Sequence, residues 1–258
     1  MMHLRYPHLF FIAFLLLHTF SQKLYAQNHL KDSLMSIPMV SARLSAQLPG
    51  ADMAGRFGPS FTAGPAFTWK TDKNWVWEGG FDYIFGNNVK IKDSIFRLIQ
   101  TSHDFIIDGN GTPADVSTQE RGYFFYARAG KLIPFKKPNP NSGLLIMAGG
   151  GFLMHKIAIS VLENTAPQLR GDYKRGYDRL TAGPSFTQFI GYQHLSNNRK
   201  YNFFVGLEIH EAFTHSLRDY DFDRMAPDNQ NRLDLLIGLK AGWILPIYGR
   251  APKEYYYY

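Results

Sequence analysis

The chain closes on "RLDLLIGLKAGWILPIYGRAPKEYYYY", residues 232–258. From Leu233 every second residue is apolar: Leu233, Leu235, Ile237, Leu239, Ala241, Trp243, Leu245 and Ile247. The interleaved set holds Asp234, Leu236, Gly238, Lys240, Gly242, Ile244 and Pro246. A period of two marks a β-strand whose faces meet different surroundings. One face is oil without interruption, while the other admits an acid, a lysine and two glycines. Which face looks inward decides the fold.

The same alternation recurs upstream. In 40–48, Val40, Ala42, Leu44, Ala46 and Leu48 alternate with Ser41, Arg43, Ser45 and Gln47. In 60–70, Phe61, Ala63, Pro65, Phe67 and Trp69 alternate with polar or small residues ending at Lys70. In 75–86, Trp75, Trp77, Gly79, Phe81, Tyr83 and Phe85 oppose a face bearing Glu78 and Asp82. In 201–212, Tyr201, Phe203, Val205, Leu207 and Ile209 oppose Asn202, Gly206, Glu208 and His210. The runs 122–135, 143–159 and 179–193 also read as strands, with less defined facing, particularly at Gly149-Gly150-Gly151. With 232–248 the strands number eight.

Connection lengths alternate as well. Turn-forming stretches, Thr71-Asp72-Lys73-Asn74, "KKPNPNS" and "LSNNR", join strands two to three, four to five and six to seven. The other connections run to about 10, 35, 20 and 20 residues. Short turns at one end and long loops at the other are expected of an outer-membrane barrel. Two echoes reinforce the count. "TAGPAFT" at 62–68 returns as "TAGPSFT" at 181–187, and "AGKLIPF" at 129–135 as "AGWILPI" at 241–247. Strand two thus resembles strand six, and strand four resembles strand eight, through duplication of a four-stranded half or through shared constraint.

Residues 1–26 read as a secretory signal: Arg5 and His8, an apolar run from Leu9 to Leu17, then Leu24-Tyr25-Ala26 at the cut. The apolar run is too short for a spanning helix, which needs about 18 residues. The whole chain carries a formal charge of +7, and the leader takes two basic residues with it. The remainder is unclustered, so no nucleic-acid partner is expected. There is no cysteine, which excludes disulfides and thiolate metal sites.

Three features turn the oily face toward lipid. Charges and small residues share the other face, as in a packed polar interior. Aromatic residues gather near strand ends: Trp69, Trp75, Trp77, Tyr192, Tyr201, Trp243 and Tyr248 at one, Tyr83, Phe85, Tyr123 and Phe125 at the other. Rings that are half apolar and half wet suit the two bilayer interfaces. Strands of about 10 residues, tilted near 45°, cross the hydrocarbon layer, and closure satisfies every backbone group. The expected fold is all-β: an eight-stranded antiparallel up-and-down transmembrane β-barrel with long extracellular loops. Its expected divisions are a signal peptide 1–26, a periplasmic N-terminal segment 27–37, the barrel 38–248 and a periplasmic tail 249–258. The expected location is the bacterial cell outer membrane.

On the last strand, Lys240, Gly242, Leu245 and Ile247 match the polar-x-Gly-x-x-hydrophobic-x-hydrophobic pattern of barrel insertion signals, 11 residues before the terminus. The stretches "LPGADMAGRFGPSF", "WVWEGGFDYIFGNNVK", "GDYKRGYDRLTAGPSFTQFIGY" and "RLDLLIGLKAGWILPIYGRAPKEYYYY" resemble a Bacteroidota small outer-membrane β-barrel family, which belongs with the PorT-like and OmpX-like outer-membrane proteins. The resemblance implies location and fold. Several barrels of this sort in that phylum are subunits of larger outer-membrane machines for barrel assembly or protein export.

The inward ionisable set is Arg43, Lys70, Glu78, Asp82, Arg128, Glu208, His210, Asp234 and Lys240. A lumen of eight strands is just wide enough for side chains to fill it, and buried charges must pair. An ionic plug is therefore expected, with a proton or solute path as the alternative. His210 and His215 sit at i and i+5 on a strand and so on opposite faces, against the i and i+4 helical spacing of a zinc motif. His155, Ser160 and Glu163 supply hydrolase residue types near the outer rim. No catalytic, cofactor or metal residue is expected. In the loop 87–121, Ile91, Ile95, Phe96, Leu98 and Ile99 suggest a short amphipathic helix over the mouth. "LENTAPQLRGDYKRGYDR" and "SLRDYDFDRMAPDNQNR" suggest a self-packed cap or a recognition surface. Tyr255, Tyr256, Tyr257 and Tyr258 follow the last strand and are expected against headgroups or a partner.

The function these residues favour is a non-enzymatic structural or accessory subunit. Its expected partners are outer-membrane lipids and other outer-membrane or surface proteins. The alternatives are a narrow channel for a small or hydrophobic solute and a lipid-modifying hydrolase.

Overall fold

A computed structural model describes residues 34–135, 137–198 and 200–247. The expected signal, most of the N-terminal segment and the tyrosine tail Tyr255–Tyr258 lie outside the described residues. The strands are β1 (Ile37–Gly50), β2 (Ser60–Lys70), β3 (Trp75–Gly86), β4 (Val116–Pro134), β5 (Gly143–Val161), β6 (Thr181–His194), β7 (Phe203–Ser216) and β8 (Arg232–Pro246). Each pairs antiparallel with its neighbour in sequence, and β1 pairs with β8 from Met39↔Pro246 to Gly50↔Leu235. The ring is closed. Closure leaves no row of unpaired backbone groups, the condition a sheet must meet in lipid.

Burial along the strands settles the facing. Leu239 is 57% exposed and its neighbour Lys240 is fully buried. Leu44, Phe67, Trp77, Leu207 and Leu245 likewise face out, while Arg43, Lys70, Glu78 and Glu208 face in. An aqueous exterior would reverse this arrangement, since charges are almost never buried in preference to leucine. The outer surface is therefore the one that meets hydrocarbon. Trp69, Trp75, Trp77, Tyr201 and Trp243 all stand exposed near the short-turn end. Tyr123, Phe125 and Phe61 mark the opposite half.

Connections sort as expected, with 71–74, 135–142 and 195–202 at one end and 51–59, 87–115, 162–180 and 217–231 at the other. The second long connection is shorter than anticipated. β4 begins at Val116, which pairs with Val161 of β5, so this ribbon rises past Gly86, where β3 stops. Its outer residues, such as Ser117 and Ser160, lack an oily face, so a lipid-facing pattern could not reveal it. Its other side, Ile157 and Ile159, is buried under the loops.

Both sequence echoes have structural causes. Pro65 and Pro184 face outward, and the ladders to β3 and β7 skip them. Pairing passes from Ala63↔Tyr83 to Ala66↔Gly80, and from Ala182↔His215 to Ser185↔Ala212. Proline has no N–H to give, and the preceding glycine admits a partner carbonyl. A Cβ on Gly64 would lie 1.8 Å from Phe81 O, and one on Gly183 1.9 Å from Phe213 O. In the second echo, Pro134 and Pro246 are the last residues of β4 and β8.

The anticipated amphipathic helix in the second long connection is smaller than its pattern suggests. Only α2 (Lys92–Ile95) forms there, as α1 (Ala51–Ala54) does after β1. Ile95 and Phe96 are buried in one cluster with Met53, Phe57, Ile106 and Leu169, and Ile91 and Ile99 pack against it. Leu98 is exposed instead. The long loops thus share an apolar core that continues into the barrel through Ile84, Phe124, Leu153 and Leu236.

Candidate functional site

Alternation on five strands, β1, β3, β4, β7 and β8, delivers charged side chains to the middle of the lumen. Arg43 Nη1 and Nη2 donate to Glu78 Oε1 and Oε2 at 2.7 and 2.5 Å. Arg128 bridges two carboxylates: Nη2 donates to Glu78 Oε1 at 2.6 Å and Nη1 to Glu208 Oε2 at 2.8 Å. Lys240 Nζ donates to Glu208 Oε2 at 2.8 Å and Asp82 Oδ2 at 2.6 Å. His210 Nε2 lies 2.8 Å from Glu208 Oε1. Tyr126 Oη accepts from Arg43 at 2.8 Å, and Thr68 Oγ1 donates to Glu78 at 3.1 Å. Arg43, Arg128 and Lys240 balance Glu78, Glu208 and Asp82, and all six are buried. Paired this way, each charge has the partner that burial demands.

Two members of the expected set stand apart. Lys70 Nζ, at the short-turn end, makes no ion pair among the described residues. It donates to Met35 O at 3.1 Å, Thr71 O at 3.2 Å and Asn141 Oδ1 at 2.9 Å. Asp234 belongs to a second cluster at the outer mouth. Its Oδ2 accepts from Thr214 Oγ1 at 2.6 Å and lies 2.9 Å from His155 Nε2, and its Oδ1 accepts from Arg56. Arg56 arrives from the segment after α1, where Phe57 is buried, as is Met53 on α1 itself. Phe57 meets the His155 ring edge-on at 5.4 Å. That short segment closes the mouth, and it has too few residues for any periodicity to announce it.

The remaining candidates are placed as follows. His210 points into the lumen and His215 away from it, as strand parity requires. His155, Ser160 and Glu163 are not brought together: His155 is buried, Ser160 faces outward five residues on, and Glu163 is exposed. Of the insertion pattern, Lys240 lies in the ion network, Gly242 is half-buried, and Leu245 and Ile247 are exposed. Tyr126 and Glu120 were missed by sequence reasoning, although both share the parity of Arg128 on β4. Glu120 is fully buried, and neither carboxylate oxygen has a hydrogen-bond partner among the described residues.

The loops carry a third ionic cluster. Arg179 pairs with Asp221 at 2.8 Å and with Asp223, Arg232 pairs with Asp228, and Arg218 Nη2 donates to Asp178 at 2.5 Å. Burial pushes the Asp221 carboxyl above its ordinary value, with Arg179 opposing. Burial acts the same way on Asp228, but the hydrogen bonds from Arg232 and the Gln230 N–H outweigh it and hold that carboxyl low. A cavity of about 610 Å³ opens between these groups and the mouth, lined by Arg56, Arg179, Asp223 and Arg232 among others.

A closed ring of eight strands with an oily exterior and an ionic interior defines an integral outer-membrane β-barrel. No family model and no curated protein matches the chain. Among solved structures it is similar to Ail, the attachment invasion locus protein of Yersinia pestis, at 11% identity and a TM-score of 0.40. That match covers 82% of this chain and 99% of that one. Ail in complex with the heparin analogue sucrose octasulfate matches over the same shares at 11% identity and a TM-score of 0.36. The outer membrane protein OprG from Pseudomonas aeruginosa matches at 9% identity and a TM-score of 0.34, covering 84% and 99%. At such scores the likeness carries no argument. The fold rests on the strand pairings, and the membrane assignment on the two faces.

Proposed function

We propose that this barrel is a non-enzymatic, non-conducting structural subunit of a larger outer-membrane complex, of the kind that assembles barrels or exports proteins. The observation that supports it most is the charge-balanced network of Arg43, Glu78, Arg128, Glu208, Lys240 and Asp82 across the lumen. A solute path would have to break several buried ion pairs at once, each held in low dielectric. Arg56, Met53 and Phe57 close the mouth a second time. With the interior committed to its own packing, the surfaces left to act are the lipid-facing wall and the ordered loop cap.

Affinity purification of the full chain from native outer membranes tests this. A stoichiometric outer-membrane partner is expected, together with silence in planar bilayers. Recovery of the barrel alone, or discrete conductance steps, would contradict it.

A further inference from the structure

We infer that the cavity at the outer mouth is a binding site for a neutral, hydroxyl-rich ligand, a saccharide of mono- to disaccharide size. At about 610 Å³ it falls within the range of small-molecule sites, about 300–1,000 Å³. Its lining residues are nearly all polar, with Ile91 the one apolar side chain among those described. The aliphatic stems of the arginines add apolar wall between the polar heads, a mixture that suits the polar edges and C–H faces of a sugar ring.

The donors and acceptors of the lining point to the chemistry. Arg56, Arg97, Arg179, Arg224 and Arg232 bring N–H groups to the wall, and Asp52, Asp223, Asp228 and Gln230 set acceptor oxygens among them. An anion brings acceptors only and a cation donors only, whereas a hydroxyl group brings both in one atom. Charge argues the same way. Five arginines line the cavity, Arg56, Arg97, Arg179, Arg224 and Arg232, against Asp52, Asp223 and Asp228 in the lining and Asp221 and Asp234 paired behind it. These formal charges balance, so little net field remains to attract a charged ligand. The sugar could be free in solution or be the headgroup of a glycolipid in the surrounding leaflet.

The test uses the full chain in nanodiscs, with saturation-transfer NMR and calorimetry. The probes are maltose, cellobiose, lactose and trehalose, against glucuronate and glucose 6-phosphate as acidic counterparts. A second arm uses nanodiscs containing a neutral glycolipid, diglucosyldiacylglycerol. Saturable binding of at least one neutral probe is expected, or of the glycolipid alone if the leaflet is the source. Gly55→Tyr should weaken it by about tenfold or more. Gly55 lines the cavity, and a Cβ there meets nothing nearer than 3.6 Å, so the backbone accepts a side chain at this position. Asp223→Asn, which keeps the shape and alters the acceptor, should weaken binding too. Folding of both variants is checked by mobility on unheated gels. No binding in either arm, binding of the acidic probes alone, or affinity unchanged in folded Gly55→Tyr would overturn the assignment.

Discussion

Lys240 on β8 and Asp82 on β3 meet across the lumen, Nζ to Oδ2 at 2.6 Å, with both side chains buried. Their strands are separated in the ring by β1 and β2, so the contact braces the barrel through its interior. Neither residue has water to fall back on, which makes the pair sensitive to loss of one partner and tolerant of loss of both.

Lys240→Met should therefore destabilise the barrel by roughly 3–5 kcal/mol, because Asp82 is left as an unpaired buried charge. The double variant Lys240→Met with Asp82→Leu should recover a large part of that loss. Urea unfolding in lipid vesicles measures both. Additive losses in the double variant would show that the two residues do not act as a pair.

All four tryptophans of the chain, Trp69, Trp75, Trp77 and Trp243, are exposed on the outer wall near one rim. Their fluorescence should be quenched strongly by lipids brominated near the headgroup and weakly by lipids brominated at the chain ends. Equal quenching at both depths would mean that the belt is not interfacial.

Close backbone approach makes a sharp contrast between two glycines. Gly183→Ala places a Cβ 1.9 Å from Phe213 O, whereas Gly79→Ala meets nothing within 4 Å. The first should cost about 1–3 kcal/mol in the same unfolding assay, and the second should stay within about 0.5 kcal/mol of the parent. Equal effects would contradict the strand spacing described for the Gly-Pro steps.

The loop cap should respond to pH in both directions. Asp228 is held below its unfolded value by Arg232 and Gln230. Its contribution is therefore complete above the ordinary aspartate value, about 3.9, and is lost as pH falls through its lower folded value. Asp221 is raised by burial, so its favourable contribution is present at low pH and lost as pH rises through the raised value. Amide exchange in 217–231, corrected for intrinsic rates, should show greatest protection between these limits. A monotonic profile would rule out one of the two assignments.

Legibility followed the chemistry of the interior. On β3 and β8 the inward residues include Glu78, Asp82, Asp234 and Lys240, so polarity itself labels the face. On β5 the inward residues include Leu145, Met147 and Leu153. The lumen is apolar above and below its ionic layer, and a strand that crosses such layers is oily on both sides. The partners of Asp234 were illegible for another reason. Arg56 comes from a short connection and His155 from that same ambiguous strand, so no periodic signal tied them to Asp234. Strand ends hid too, since β4 and β5 continue beyond the hydrocarbon, where alternation against lipid stops.

The orientation of the two faces is tested most directly on β8. The chain has no native cysteine, so single cysteines placed in turn from Leu233 to Leu245 can each carry one nitroxide label. In vesicles, relaxation by lipid-soluble oxygen should peak at Leu233, Ile237, Leu239, Ala241, Trp243 and Leu245, with minima at Asp234, Gly238 and Lys240. The opposite phase, with Lys240 open to oxygen and Leu239 shielded, would contradict the account.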